Sequence, residues 1–152
     1  MAWIPHITVA AVAERDGRFL LVEELVEDQP VYNQPAGHLE ENESLLEAVI
    51  RETLEETLLE FTPEHLLGVY HWQQANSRET YIRVAFTGRV ENEPRAGKLS
   101  KGILAAAWLS RDEIAALPAE KLRSPMVLHC IGDHLAGVRH PLSALRYLNQ
   151  RK

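Results

Sequence analysis

Three glutamates crowd into the segment Arg51-Glu52-Thr53-Leu54-Glu55-Glu56-Thr57-Leu58-Leu59. At about 100° per residue, a helix places Glu52, Glu55 and Glu56 within roughly a third of its circumference. Exposed like charges at i,i+3 and i,i+4 cost about 0.2–0.5 kcal/mol per pair, and Arg51 relieves only part of that. A hard divalent cation reverses the sign, because carboxylate oxygens are the ligands that Mg²⁺ and Mn²⁺ prefer. Three glutamates alone favour a plainer reading, a solvated charged face. The context shifts the balance. Upstream stands Gly37-His38-Leu39-Glu40-Glu41-Asn42-Glu43, where the glycine can bring backbone close to a ligand. Glu43 can pair with Arg51, which would fix the arginine and leave the three glutamates free for metal.

Those residues need a scaffold. Residues 6–14 and 18–24 predict strands joined through Asp16-Gly17, a strong hairpin signal. Residues 25–43 lack periodicity and carry Asp28, Pro30, Asn33, Pro35 and Gly37. They predict a long functional loop, with room for a short strand near Val31-Tyr32. Ser44 and Glu47 fit a capping box, opening a helix whose core face is Leu46, Val49, Ile50, Thr53 and Thr57. Strands over 66–74 and 79–90 follow, with Asn76-Ser77 in the turn. A polar loop over 91–101 leads to an apolar strand over 103–109. Ser110 and Glu113 form a second capping box before a short helix that Pro118 ends. Ser124-Pro125 opens a third helix, closed by Gly137. Without a regular βαβ rhythm, the expected class is α+β, an α/β/α sandwich. No repeat or linker divides the chain, so residues 1–152 read as one domain.

Composition narrows the function. Apolar residues make up 45% of the chain and charged residues 25%, ordinary values for a globular protein. Runs such as Ile103–Leu109 are too short to cross a bilayer, and Met1-Ala2-Trp3-Ile4-Pro5 lacks the features of a secretion signal, so no membrane partner is expected. Cys130 is the only cysteine, which excludes an internal disulfide or cysteine knuckle and makes the cytoplasm the simplest home. A net charge of −6 argues against polymeric nucleic acid. A small anionic ligand remains compatible if a divalent cation sits between it and the protein.

From Gly37 to Leu59 the chain resembles the Nudix box, G-x5-E-x7-R-E-U-x-E-E-x-G-U with U aliphatic. Gly37, Glu43, Arg51, Glu52, Glu55 and Glu56 match at the required spacing. Thr53 replaces an aliphatic residue, and Leu58 replaces the glycine that would supply a left-handed helix end. Leu58 must either adopt positive φ at about 1 kcal/mol or let the helix run on towards Pro63. Neither outcome removes a metal ligand.

The resemblance implies a mixed β-sheet flanked by helices and Mg²⁺-dependent hydrolysis of a nucleoside diphosphate linked to another moiety, with Mn²⁺ as a possible substitute. It implies that Glu52, Glu55 and Glu56 hold the metal, helped by the Gly37 carbonyl. Glu52 is alternatively the general base, while Arg51 and Glu43 orient the others. In this family the base can also come from a loop, where Glu79, Glu91 and Glu93 are unranked candidates. The flanking Asn33-Gln34-Pro35-Ala36-Gly37-His38-Leu39-Glu40, Leu122-Arg123-Ser124-Pro125 and His6-Ile7-Thr8-Val9-Ala10 resemble the NudJ-type phosphatase subgroup. That implies release of orthophosphate from nucleoside tri- and diphosphates, and action on the pyrimidine pyrophosphate precursor of thiamine. The alternatives are a pyrophosphatase cutting dinucleotides or nucleotide sugars, and a non-catalytic ligand-sensing Nudix domain.

Three residues outside the acidic cluster are substrate-binding candidates. Arg123 precedes a helix start, where anions are favoured; its plain role is a surface ion pair. Trp72 shares a strand face with Tyr70 and could stack on a base, although aromatic strand residues more often fill cores. His38 could contact phosphate or be an ordinary loop residue. His71 points the other way, and His129 and His134 are poorly spaced for a shared metal. Cys130 reads as a buried structural thiol. The expected partner is a small phosphorylated substrate, and the oligomeric state, monomer or homodimer, stays open.

Overall fold

At the first hairpin, Asp16 and Gly17 take positive φ, 52° and 77°. That is what a two-residue turn between right-twisted strands demands. It joins β1 (His6–Arg15) to β2 (Arg18–Val26). In the computed structural model, which describes residues 2–149, the segment read as a long loop holds two further strands. These are β3 (Gln29–Asn33), antiparallel to β2, and β4 (Ala36–His38), antiparallel to β1. The β2–β3 turn is made by Glu27 and Asp28 at φ 52° and 64°, a hairpin turn without its usual glycine. Strand β3 contains the short strand allowed near Val31-Tyr32, whereas β4 is specified by its pairing with β1 and not by a local pattern.

Helix α1 (Leu45–Thr57) is followed by β5 (Phe61–Gln73), β6 (Thr80–Val90) and β7 (Ile103–Ser110). Strand β5 starts earlier than the pattern predicts. It carries Pro63 where the register with β6 shifts, an irregularity that tolerates a missing donor. Strand β1 lies between β6, parallel to it, and β4; β5 is antiparallel to β6, and β2 bridges β3 and β7. Helices α2 (Arg111–Ala115) and α3 (Met126–Leu135) complete the elements used below.

Both faces of β1 are covered, so Thr8 to Ala13 are buried in an unbroken run, as expected of a strand between two layers. Val9 and Ala11 pack with Val84, Phe86 and the α1 residues Ala48 and Val49. Ala10 and Val12 turn the other way, towards Leu67, Ala85 and the α3 residues Val127, Cys130 and Ile131. The result is the expected mixed sheet between helical layers.

Helix α1 begins as its sequence requires. Ser44 Oγ accepts from the Glu47 amide at 3.0 Å, and the Glu47 carboxylate accepts from the Ser44 amide at 2.9 Å. Thr53 and Thr57 are buried because each hydroxyl donates to a carbonyl one turn back, Val49 and Thr53, at 2.7 Å. The helix stops at Thr57, and Leu58 adopts φ 61°. Of the two outcomes open to the sequence, the molecule takes the strained one, at about 1 kcal/mol relative to glycine. Its surroundings offset that cost: the Leu58 amide donates to Leu54 O at 2.9 Å, and Leu58 O accepts from the Arg95 amide at 2.7 Å.

Candidate active site

The strand register sets out the site. Parallel pairing puts His6 beside Tyr81 and Thr8 beside Arg83, and antiparallel pairing puts Trp72 beside Tyr81 and Tyr70 beside Arg83. One sheet face therefore carries two cross-strand rows, His6–Tyr81–Trp72 and Thr8–Arg83–Tyr70. His38 pairs with Thr8 from β4. A cavity of about 380 Å³ opens here, lined by Gly37, His38, Glu52, Glu56, Trp72, Tyr81, Arg83 and Arg123, with Glu24, Asn33 and Ser124 among its other walls.

The structure thus gathers Gly37, His38, Glu52, Glu56, Trp72 and Arg123 from four regions of the sequence. Glu55 is not in the lining. It is exposed, takes a 3.0 Å hydrogen bond from Arg51, and its carbonyl anchors Ser100 of the 91–101 loop at 2.9 Å. Glu56 is only 7% exposed, against the expectation that all three carboxylates project away from the core. Its carboxylate accepts from the Ala36 amide at 3.0 Å. Burial, reinforced by repulsion from Glu52, Glu24 and Glu55, pushes its pKa up to about 8. The Glu52 carboxyl is also raised by burial, against the pull of Arg51.

Gly37 leaves room for the Glu52 carboxylate. A Cβ there would lie 2.1 Å from the Glu52 carboxylate carbon, so any larger residue would push that carboxylate out of its present position. Arg51 grips Glu43 through two donors at 2.9 and 2.7 Å, as the sequence anticipates. It does not leave the other carboxylates alone: it also donates to Glu52 at 2.7 Å and to the His38 carbonyl at 3.1 Å. Its hydrogen bonds hold the Glu43 carboxyl below the usual range.

Among the described residues no three His, Cys, Asp or Glu side chains form a ready-made metal cluster; Arg51 and the Ala36 amide hold the glutamates instead. The donors still suit a hard divalent cation. They are all oxygens, and Glu56 is a buried carboxylate that no cationic side chain pairs among its hydrogen bonds and ion pairs here.

Arg123 lies 3.7 Å from Glu24, and its guanidinium sits 5.8 Å from the Tyr81 ring centre. It therefore both lines the cavity and makes an ion pair. Trp72 stacks with Tyr81 at 5.5 Å, while Tyr70 turns to α3 and donates to Asp133 at 2.7 Å. Burial, His6 and Arg123 lower the His38 pKa. None of the loop carboxylates Glu79, Glu91 and Glu93 lines the cavity. Glu91 caps the Glu60 amide at 2.8 Å and pairs with Arg95, whereas Glu79 bonds His6.

Sequence reasoning missed Arg83, Glu24 and Tyr81. Arg83 is 3% exposed and donates to Asn33 Oδ1 at 2.8 Å and Gln34 Oε1 at 2.7 Å. A signal was present: a lone arginine two residues from Tyr81 and Ala85 on one strand face must point into the same layer.

A family profile described as NUDIX domain matches residues 4–130. The chain belongs to the Nudix hydrolase family. This Nudix hydrolase is 37% identical over 145 residues to the phosphatase NudJ of Escherichia coli K12, covering 95% of this chain and 93% of that protein. NudJ of Shigella flexneri matches equally. The solved structure of a NUDIX hydrolase from Nitrosomonas europaea superposes with a TM-score of 0.92 at 47% identity, covering 97% of this chain and 100% of that one. A MutT NUDIX hydrolase from Burkholderia pseudomallei shares the fold, with a TM-score of 0.71 at 23% identity over 86% of this chain and 98% of its own. Nudix hydrolases act on small phosphorylated substrates and generally use divalent metals. No helix among the described residues is long and apolar enough to cross a membrane.

Proposed function

We propose that this Nudix hydrolase, a single domain over 1–152, is a Mg²⁺-dependent phosphatase. It releases orthophosphate from nucleoside tri- and diphosphates or from a small pyrimidine pyrophosphate. One observation carries the reading. The buried Glu56, the half-buried Glu52 and the Gly37 backbone share one cavity with the Trp72–Tyr81 pair and Arg123. An acidic end suits a cation bridging to phosphate, and a flat aromatic wall suits a heterocycle. The size agrees, since about 380 Å³ lies near the small end of ligand pockets, roughly 300–1,000 Å³. The resemblance to NudJ phosphatases supports the same substrate class.

Glu52, Glu55, Glu56 and the Gly37 carbonyl would hold Mg²⁺, with Mn²⁺ as a substitute. A bound ion would neutralise phosphoryl charge and make water more acidic. The chain's own residues do the positioning. Glu43 fixes Arg51, and Arg51 fixes Glu52, which is alternatively the general base that would take a proton from water. Arg123 supplies charge to phosphoryl oxygens, Trp72 packs on the organic moiety, and His38 closes the wall between them. Cys130, buried and with its thiol pushed up by burial, suits a reducing compartment such as the cytoplasm.

Product analysis tests this reading. Nucleoside diphosphates with Mg²⁺ should yield orthophosphate, and Glu56→Gln should lower turnover by roughly 100-fold or more. Paired monophosphates from dinucleotides, with no orthophosphate from nucleoside diphosphates, would overturn it.

A further inference from the structure

His38 is held at two points. Its backbone is fixed by pairing with Thr8 on β1 and by the Arg51 side chain, which donates to its carbonyl at 3.1 Å. Its ring is held from outside the acidic cluster. His38 Nε2 lies 2.9 Å from His6 Nδ1, and His6 Nε2 bonds the Glu79 carboxylate. The His6 ring is itself pinned, stacked on Tyr81 at 4.5 Å with the planes 14° apart. Glu79 is set at the end of the β5–β6 hairpin, where its carbonyl accepts from the Gln74 amide at 3.0 Å and its amide donates to Ser77 Oγ at 3.1 Å. Glu79–His6–His38 is therefore a continuous polar chain running from an exposed hairpin to the cavity wall.

With His6 neutral, the chain has a direction. A carboxylate can only accept, so His6 Nε2 carries a proton. In neutral His6 the remaining nitrogen, Nδ1, accepts from His38 Nε2–H. A hydrogen bond on one imidazole nitrogen sets the tautomer at the other, so His38 Nδ1 is left with its lone pair.

We propose that Glu79 and His6 are positioning residues that fix the ring and tautomer of His38, so that it presents a hydrogen-bond acceptor to an O–H or N–H group of the substrate. This rests on the cavity being the hydrolytic site. It assigns His38 to a donor on the organic moiety instead of a phosphate oxygen, and it gives Glu79 a role other than general base. The His6 and Glu79 side chains are 31% and 52% exposed, so replacing them leaves the core intact.

The test is a kinetic double-mutant cycle on phosphate release from nucleoside diphosphates with Mg²⁺. Glu79→Ala should raise KM by about three- to tenfold with kcat nearly unchanged, the effect of one hydrogen bond. Glu79→Gln should restore the wild-type KM, because an amide oxygen still accepts from His6. In a His38→Ala background, Glu79→Ala should add nothing. A wild-type KM in Glu79→Ala, an undiminished effect in the His38→Ala background, or a loss confined to kcat would each overturn the proposal. Glu56→Gln serves as the reference. Full turnover in that variant sinks the assignment of the site itself. An inactive Glu56→Gln beside a wild-type Glu79→Ala sinks only the positioning chain.

Discussion

Two arginines meet the same cavity region under opposite terms. Arg51, on α1, has a side chain 25% exposed and lies among carboxylates: Glu43 and Glu52 at 2.7 Å, Glu55 at 3.0 Å and Glu40 at 3.5 Å. Arg83, on β6, is 3% exposed, and its hydrogen-bond acceptors are the amides of Asn33 and Gln34 and the Cys130 sulfur, the last at 3.9 Å. Its Nε has no partner among the described residues. Gln34 in turn donates to the Val127 carbonyl at 2.9 Å, tying this clamp to α3. Carboxylates neutralise the Arg51 charge several times over, so that side chain works as a strut fixing glutamate geometry. Amides return only dipoles, so the buried Arg83 charge is offset only at a distance, by Glu24 across the cavity wall, which is costly unless a ligand adds to it. Under the proposed function, a phosphorylated substrate supplies that compensation.

The largest effect is expected where the dry clamp is broken. Arg83→Met leaves the Asn33 and Gln34 oxygens unpaired inside the protein. At roughly 1–3 kcal/mol per orphaned group, the expected loss is about 2–6 kcal/mol, read as a lower urea midpoint. Wild-type stability in that variant would show that the amides find other partners and would remove the distinction between the arginines. Breaking the solvated strut should do the reverse. Arg51→Lys keeps the charge but cannot span Glu43 and Glu52 with one fork. Turnover should fall about 10–100-fold, as when a supporting group is lost, while stability changes by about 1 kcal/mol or less because the freed carboxylates are rehydrated. An Arg51→Lys variant less stable than Arg83→Met would invert the comparison.

The same contrast explains what the sequence could reveal. The Glu43–Arg51 pair is legible because both residues flank the start of one helix, eight positions apart. Both capping boxes and the Asp16-Gly17 turn are legible for the same reason: local geometry alone satisfies them. Arg83 on β6 meets Asn33 at the end of β3 across 50 positions, an approach set by the β3–β2–β1–β6 strand order that no local pattern encodes. Strand β3 showed only as room for a short strand near Val31-Tyr32, and β4 escaped notice, because Pro30, Asn33 and Pro35 read as loop residues while the backbone partners lie on β2 and β1. The burial of Glu56 was hidden too. Helical spacing puts it beside Glu52, but only the approach of Ala36 takes it out of water.

The smallest effect probes the Arg83 charge through a neighbour. Glu24 lies in the same cavity wall with its side chain 19% exposed. Burial raises its pKa above the ordinary 4.5, while Arg123, the Asn33 amide and Arg83 each pull it down. A carboxyl raised on folding makes the native state bind more protons than the unfolded one between the two pKa values. Its contribution to stability is complete below about pH 4.5 and is lost as pH rises through the folded value. With a chelator present, Glu24→Gln removes this slope, so its Tm should gain on the wild type as pH climbs from 4.5 towards neutrality. If Arg83 keeps its charge, Arg83→Met raises the Glu24 pKa further and moves the slope to higher pH. Arg51→Lys leaves the charge in place and should not move it. Equal displacement in both variants, or in neither, would mean that Glu24 does not sense Arg83, and the buried charge would lose its most direct witness.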